Sequence, residues 1–236
     1  MSASIEARGM KVEFPIMNSS HRSLKKLVMK AATGGRIAAD AGNYVVVTAL
    51  DNLDFSIKPG ERVALLGHNG SGKTTLLRAL AGVYAPTSGY LRVEGSMTSL
   101  LDISLGMEME ATGVENIFLR GTLMGMTRAE IEAHFDQIAA FADIGHFLNL
   151  PVRTYSSGMQ VRLAFAVSTS VQRDIILMDE WLAVGDANFS EKASKRLSGL
   201  VEGASILVLA THSPDLVNKT CNRTIQMEHG RIVATT

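Results

Sequence analysis

Apolar residues fall along this chain in two rhythms, short continuous runs and helical spacing, and the alternation of the two organises it. Residues 10–16, MKVEFPI, predict a short strand in which Pro15 marks an edge or an end. Residues 44–47 and the alternating LDNLDFSI of 50–57 predict further strands, and the polar stretch 33–43 between them and the N-terminal region reads as a loop with room for a small hairpin. The turn KPGE at 58–61 leads into another strand at 62–66. Leu76, Leu77 and Leu80 share one face of a helix over 73–82. A turn at 86–89 precedes strands near 90–93 and 97–101.

From Gly113 the rhythm turns helical. Val114, Ile117, Phe118 and Leu123, then Ile131, Phe135, Ile138 and Phe141, describe two helices, and Thr127 and Glu130 have the spacing of a capping box at the second. Pro151 stops this stretch. A buried helix carrying Leu163, Ala164, Phe165 and Val167 follows the polar turn Tyr155–Gly158. The runs IILM at 175–178 and SILVLA at 205–210 predict strands buried on both faces, as in a parallel sheet. Residues 187–200 predict a helix between them, Pro214 opens a short one, and residues 224–233 predict a closing hairpin.

Composition excludes several classes. The 23 basic residues balance 23 acidic ones, so no overall field favours nucleic acid. A single cysteine, Cys221, excludes an internal disulfide and a multi-cysteine metal site. No apolar run is long enough to span a bilayer, and MSASIEARGM has no signal-peptide core, so the expectation is a cytosolic protein whose membrane role is peripheral. Residues 18–31, NSSHRSLKKLVMKA, space Leu24, Leu27, Val28 and Ala31 helically among His21, Arg22, Lys25, Lys26 and Lys30. That basic amphipathic helix, about 20–31, fits either an anionic membrane surface or an ordinary solvated face.

The chemistry sits where strands end. Residues 67–75, GHNGSGKTT, fit G-x-x-x-x-G-K-[ST], a phosphate-binding loop between a strand and a helix. Gly67, Gly70 and Gly72 let successive N–H groups face one volume, into which the helix at Lys73 points its positive end. Lys73 is the candidate for the β- and γ-phosphates and Thr74 for Mg²⁺, while the backbone of His68, Asn69, Ser71 and Thr75 completes the cradle. Asp179 and Glu180 follow the run IILM: Asp179 is placed to hold Mg²⁺, and Glu180 to orient and deprotonate an attacking water. Together these residues predict a Mg²⁺-dependent enzyme that hydrolyses a nucleotide.

With these motifs in place, the chain from about Val47 to Ile232 resembles the nucleotide-binding domain of ATP-binding cassette (ABC) proteins. SSGMQ at 156–160 resembles the family signature, with Ser156 where an apolar residue is usual. The resemblance implies an α/β P-loop NTPase fold, a RecA-like core with an antiparallel β portion and an inserted helical subdomain at about 105–165, within one domain over 1–236. It implies a head-to-tail homodimer in which Ser157 and Gly158 of one copy cap the ATP held by the other. Asp186 matches the D-loop position, and His212 matches the switch histidine near the γ-phosphate. Two positions depart from the pattern. The adenine-stacking aromatic falls near Val47 or Thr48, so either Tyr44 serves through a longer loop or an apolar contact replaces stacking. Where a glutamine is due, Glu108 stands as the candidate near the metal. LGM at 105–107, TGVENI at 112–117, YSSGMQVRLAFA at 155–166 and DEWLAVGD at 179–186 most resemble the subfamily exporting lipid-linked polysaccharides such as O-antigen, capsule and teichoic acid. That likeness implies a polytopic transmembrane partner, a place on the cytoplasmic face of the membrane and a membrane-side role for residues 20–31. The alternative class, a soluble cassette ATPase acting on nucleic acid or ribosomes, calls for coiled coils or a basic surface that the sequence lacks. A nucleotide-gated interaction module without turnover is disfavoured by Glu180.

Overall fold

The computed structural model describes residues 3–16, 37–39, 45–101, 103, 106–180 and 187–236. The expected basic helix at 20–31, Tyr44 and Asp186 lie outside the described residues. The chain forms two compact units, one of Met1–Gly95, Leu177–Glu180 and Ser205–Thr236, the other of Ser96–Ile176 and Trp181–Ala204.

In the first unit, strands β1 (Ser4–Ile16), β2 (Ile37–Ala39), β3 (Val45–Ile57) and β5 (Ser88–Glu94) form an antiparallel sheet in the order β2-β3-β1-β5. β1 begins six residues before the MKVEFPI segment, because its alternation is broken. Ile5 and Ala7 are buried, then Met10 and Val12, and the register shifts between the two pairs. A bulge at Gly9 (φ 54°), whose N–H donates to Asp54 Oδ1 at 2.8 Å, returns the apolar side chains to the same face. The neighbouring strand crosses closely here: a Cβ at Gly89 would stand 2.1 Å from the Gly9 carbonyl oxygen. β3 is likewise one strand where the sequence suggests two, with Asn52 at φ 54° between the buried Leu50 and Leu53. Pro15 falls near the end of β1, beyond its last pairing with β5.

The second sheet of this unit contains β4 (Arg62–Leu66), β8 (Ile206–Ala210), β9 (Arg223–Glu228) and β10 (Arg231–Thr235), and β7 (Ile175–Asp179) carries the chain into it. Strand order is β10-β9-β4-β8-β7, with β4 parallel to both β8 and β9. Every residue of β8 is buried, as are Val63, Ala64 and Leu65 of β4 and Ile175–Met178 of β7, so apolar runs rather than alternation encode this sheet. Helix α1 (Lys73–Leu80) buries Leu76, Leu77 and Leu80. The two sheets are joined where Asp51 N–H donates to Gly230 O at 2.8 Å and Arg231 Nε donates to Asp51 Oδ2 at 2.9 Å.

The second unit holds β6 (Met97–Leu100) and helices α2 (Gly113–Leu123), α3 (Arg128–Ala142), α4 (Ser157–Ser168) and α5 (Ala187–Gly203). Complete capping boxes start α2, through Thr112 and Glu115, and α3, through Thr127 and Glu130. Hydrogen bonds from the backbone and hydroxyl of each threonine hold both carboxyls below the ordinary glutamate range. Phe141, Phe165 and Phe189 form an aromatic cluster with centroids 5.5–6.1 Å apart. Lys192 closes the end of α3, donating to Phe141 O at 3.2 Å with its ammonium 4.6 Å from that ring. The short helix α6 (Pro214–Thr220) belongs to the first unit and begins at Pro214 as expected. Among the described residues no helix is long and apolar enough to cross a membrane.

Candidate nucleotide site

The first unit builds a cleft of about 570 Å³ at the C-terminal ends of its parallel strands. β4 ends in Gly67, and the next residues loop back to start α1 at Lys73. Gly67 has φ 147°, and a Cβ there would lie 2.3 Å from Met227 O and 2.6 Å from Ser71 Oγ, so only glycine lets the loop turn this closely over β9. α1 has no side-chain cap and no acidic residue in its first turn, leaving its positive end to an anion. Lys73 is buried along its stem, and its Nζ donates to Gly67 O at 2.7 Å and His68 O at 3.2 Å, which folds the ammonium over the loop.

The acidic pair arrives from β7. Asp179 Oδ2 accepts a 2.6 Å hydrogen bond from Thr74 Oγ1, so the two oxygens proposed for Mg²⁺ already converge. Both are hard oxygen donors, and their meeting at the edge of the phosphate loop fits that ion. Glu180, one residue on, takes the left-handed conformation (φ 68°), uncommon for a non-glycine residue. Its N–H donates to Ala210 O at 2.8 Å, its Oε2 accepts from Thr211 Oγ1 at 3.0 Å, and its Oε1 accepts from the His212 N–H at 3.2 Å. His212 follows β8 and lines the cleft with Asn69, Lys73, Thr74, Asp179 and Glu180. One region thus unites the phosphate loop, the carboxylate pair and the histidine, drawn from three strand ends.

Other sequence candidates stand elsewhere. Gly70, Gly72 and Thr75 also line the cleft, whereas His68 is exposed and meets His229 edge-on, ring centroids 5.1 Å apart. Ser157 and Gly158 occupy the first turn of α4 in the second unit, capped by Ser156 Oγ, which accepts from Met159 N–H at 3.2 Å. Glu108 also belongs to the second unit, where its Oε1 accepts from Glu110 N–H at 3.1 Å. The loop around it hangs on the buried Asn116, whose amide nitrogen donates to the carbonyls of Glu108, Ala111 and Thr112 and whose Oδ1 accepts from Glu108 N–H. Thr211 belongs to no motif, and Asn116, although it lies within the TGVENI of 112–117, has no sequence mark of what its amide meets. Only the contacts of their side chains single them out. On the wall beside the phosphate loop the described residues are Val47, Thr48 and Ala49, none of them aromatic.

A strand–glycine loop–helix cradle with acids delivered from the end of another strand of the same sheet defines a P-loop nucleoside triphosphatase. Residues 50–183, more than half of the chain, match the family model described as ABC transporter. The chain is 45% identical to the O-antigen export system ATP-binding protein RfbE of Yersinia enterocolitica, over 94% of this chain and 92% of that protein. It is 40% identical to the O-antigen export system ATP-binding protein RfbB of Myxococcus xanthus over 92% of its own length, and 36% identical to the teichoic acids export ATP-binding protein TagH of Bacillus cereus over 98%. It spans only 49% and 40% of those two proteins. Among solved structures, a dimeric post-hydrolysis ATP-binding cassette bound to ADP and phosphate shares the fold at 19% identity, with a TM-score of 0.68 over 98% of this chain and 97% of that one. The chain belongs to the ABC transporter family and is an ABC-type ATPase.

Proposed function

We propose that this chain is the ATP-hydrolysing subunit that powers export of a polysaccharide-type substrate through a separate transmembrane partner. The observation that carries the reading is the convergence of Lys73, Thr74, Asp179, Glu180 and His212 on one cleft. ATP enters with its phosphates over the glycine loop, where Lys73 exchanges two carbonyl contacts for phosphate oxygens. Thr74 and Asp179 hold Mg²⁺, which when bound neutralises charge on the phosphates. Glu180 accepts the proton of the attacking water, and His212 orients the γ-phosphate side of the cleft. Two copies close head to tail, Ser157 and the Gly158 backbone of one at the γ-phosphate of the other, each presented from a helix N-terminus. Asp186 reaches across the same dimer, Glu108 takes the place of a glutamine near the metal, and Tyr44 or the Val47–Ala49 wall receives adenine.

The polysaccharide substrate is supported by the relatives, which are O-antigen and teichoic acid export ATP-binding proteins at 36–45% identity. The transmembrane partner is supported by the same relatives, whose names make them ATP-binding proteins of export systems. Replacing Glu180 with Gln tests the chemistry: turnover is expected to fall at least about a hundredfold while ATP still binds. Native turnover in that variant refutes the general-base role. Co-purification of the tagged chain with a polytopic membrane protein tests the export role.

A further inference from the structure

Resting on the assignment of Glu180 as general base, we infer that Thr211 is the positioning residue that aims its carboxylate. Thr211 is 1% exposed and stands just beyond β8. A hydroxyl carries one proton. Thr211 Oγ1 accepts the N–H of Ser213 at 3.2 Å, which orients that single proton toward Glu180 Oε2, 3.0 Å away. The other carboxylate oxygen takes the His212 N–H at 3.2 Å, and the Glu180 backbone is bonded to Ala210 O at 2.8 Å. Three consecutive residues, Ala210, Thr211 and His212, therefore tether backbone and both oxygens of one glutamate.

The tether answers a geometric need. Glu180 is exposed at a strand end, and its side chain has three rotatable bonds. Left alone, its carboxylate would sweep a wide volume, whereas a general base acts only within hydrogen-bond reach of its proton. Two of the three anchors are backbone groups, which no substitution removes without rebuilding the chain. Thr211 supplies the one anchor made by a side chain, and its burial holds the hydroxyl in place. His212 serves Glu180 through its backbone N–H while lining the same cleft.

Steady-state hydrolysis of Mg²⁺-ATP by the full chain tests this with Thr211→Val, Thr211→Ser, Glu180→Gln and the double variant Glu180→Gln/Thr211→Val. Valine keeps the shape and removes the donated proton. We expect kcat to fall roughly tenfold or more with KM for ATP changed less than about twofold. Serine restores the hydroxyl and is expected to return kcat to within about threefold of the native value. The double variant is expected to turn over no more slowly than Glu180→Gln, because Thr211 acts through Glu180. Should the valine protein fail to fold, Thr211→Ala set against Thr211→Ser makes the same comparison. Native kcat without the hydroxyl, a rise in KM matching the fall in kcat, or no recovery with serine overturns the inference while leaving Glu180 as base. Native turnover in Glu180→Gln overturns both.

Discussion

Lys73 illustrates how the loop's own carbonyls position a side chain of the site. Its ammonium rests on Gly67 O and His68 O, over the loop proposed to cradle the phosphates. Lys73→Ala is therefore expected to weaken ATP binding at least about a hundredfold while the chain stays folded, as read by titration calorimetry and circular dichroism. Gly67 answers to sterics instead. A methyl group there collides with Met227 O at 2.3 Å, so Gly67→Ala is expected to cost at least about 2 kcal/mol of stability, measured in denaturant, and to lose nucleotide binding with it. Lys73 and Gly67 were both legible, because the P-loop pattern names residue types that its physics requires. Thr211 was not, since a buried threonine before a histidine carries no mark of what its hydroxyl meets.

Among the elements, the capping boxes of α2 and α3 make a pH-dependent contribution. Glu115 and Glu130 bind protons more weakly folded than unfolded, since their ionised forms accept from Thr112 and Thr127. Their contribution is thus fully present above the ordinary glutamate value, about 4.3, and is lost as pH falls through the lowered folded values. Helix content is expected to decline in that acidic window, and less steeply in a Glu115→Gln/Glu130→Gln variant, by circular dichroism against pH. Thr112→Ala and Thr127→Ala are each expected to cost about 1 kcal/mol at neutral pH. The spacing T-x-x-E announced the second box, and it stands equally in the TGVE of 112–115. The strands were less readable. β1 and β3 hide their length behind a bulge at Gly9 and a left-handed Asn52, each of which shifts the alternation by a residue.

For the whole molecule, the proposed composite site makes a prediction that neither residue nor element makes alone. Lys73→Ala is expected to disable a P-loop, and Ser157→Arg the proposed signature. If two copies share each site, mixing these two inactive chains restores hydrolysis to roughly a quarter of the native rate, half the dimers being mixed and each of those holding one intact site of two. Absence of recovery in the mixture at concentrations where the native chain is active refutes the shared site. Turnover falling faster than linearly on dilution is the companion measurement.

The sequence by itself determined the phosphate loop, the acids after IILM, the buried parallel strands and the helical stretch, because each rests on local periodicity or on residue types demanded by one turn. Only the tertiary structure decided which residues stand together. It brought β4, β7 and β8 side by side so that Thr74 meets Asp179 and Thr211 meets Glu180 across 105 and 31 residues of chain. It also gave Asn116 its loop and Gly89 its crossing with Gly9. Such contacts depend on strand order and register, which the pairing of distant segments settles and no local pattern encodes.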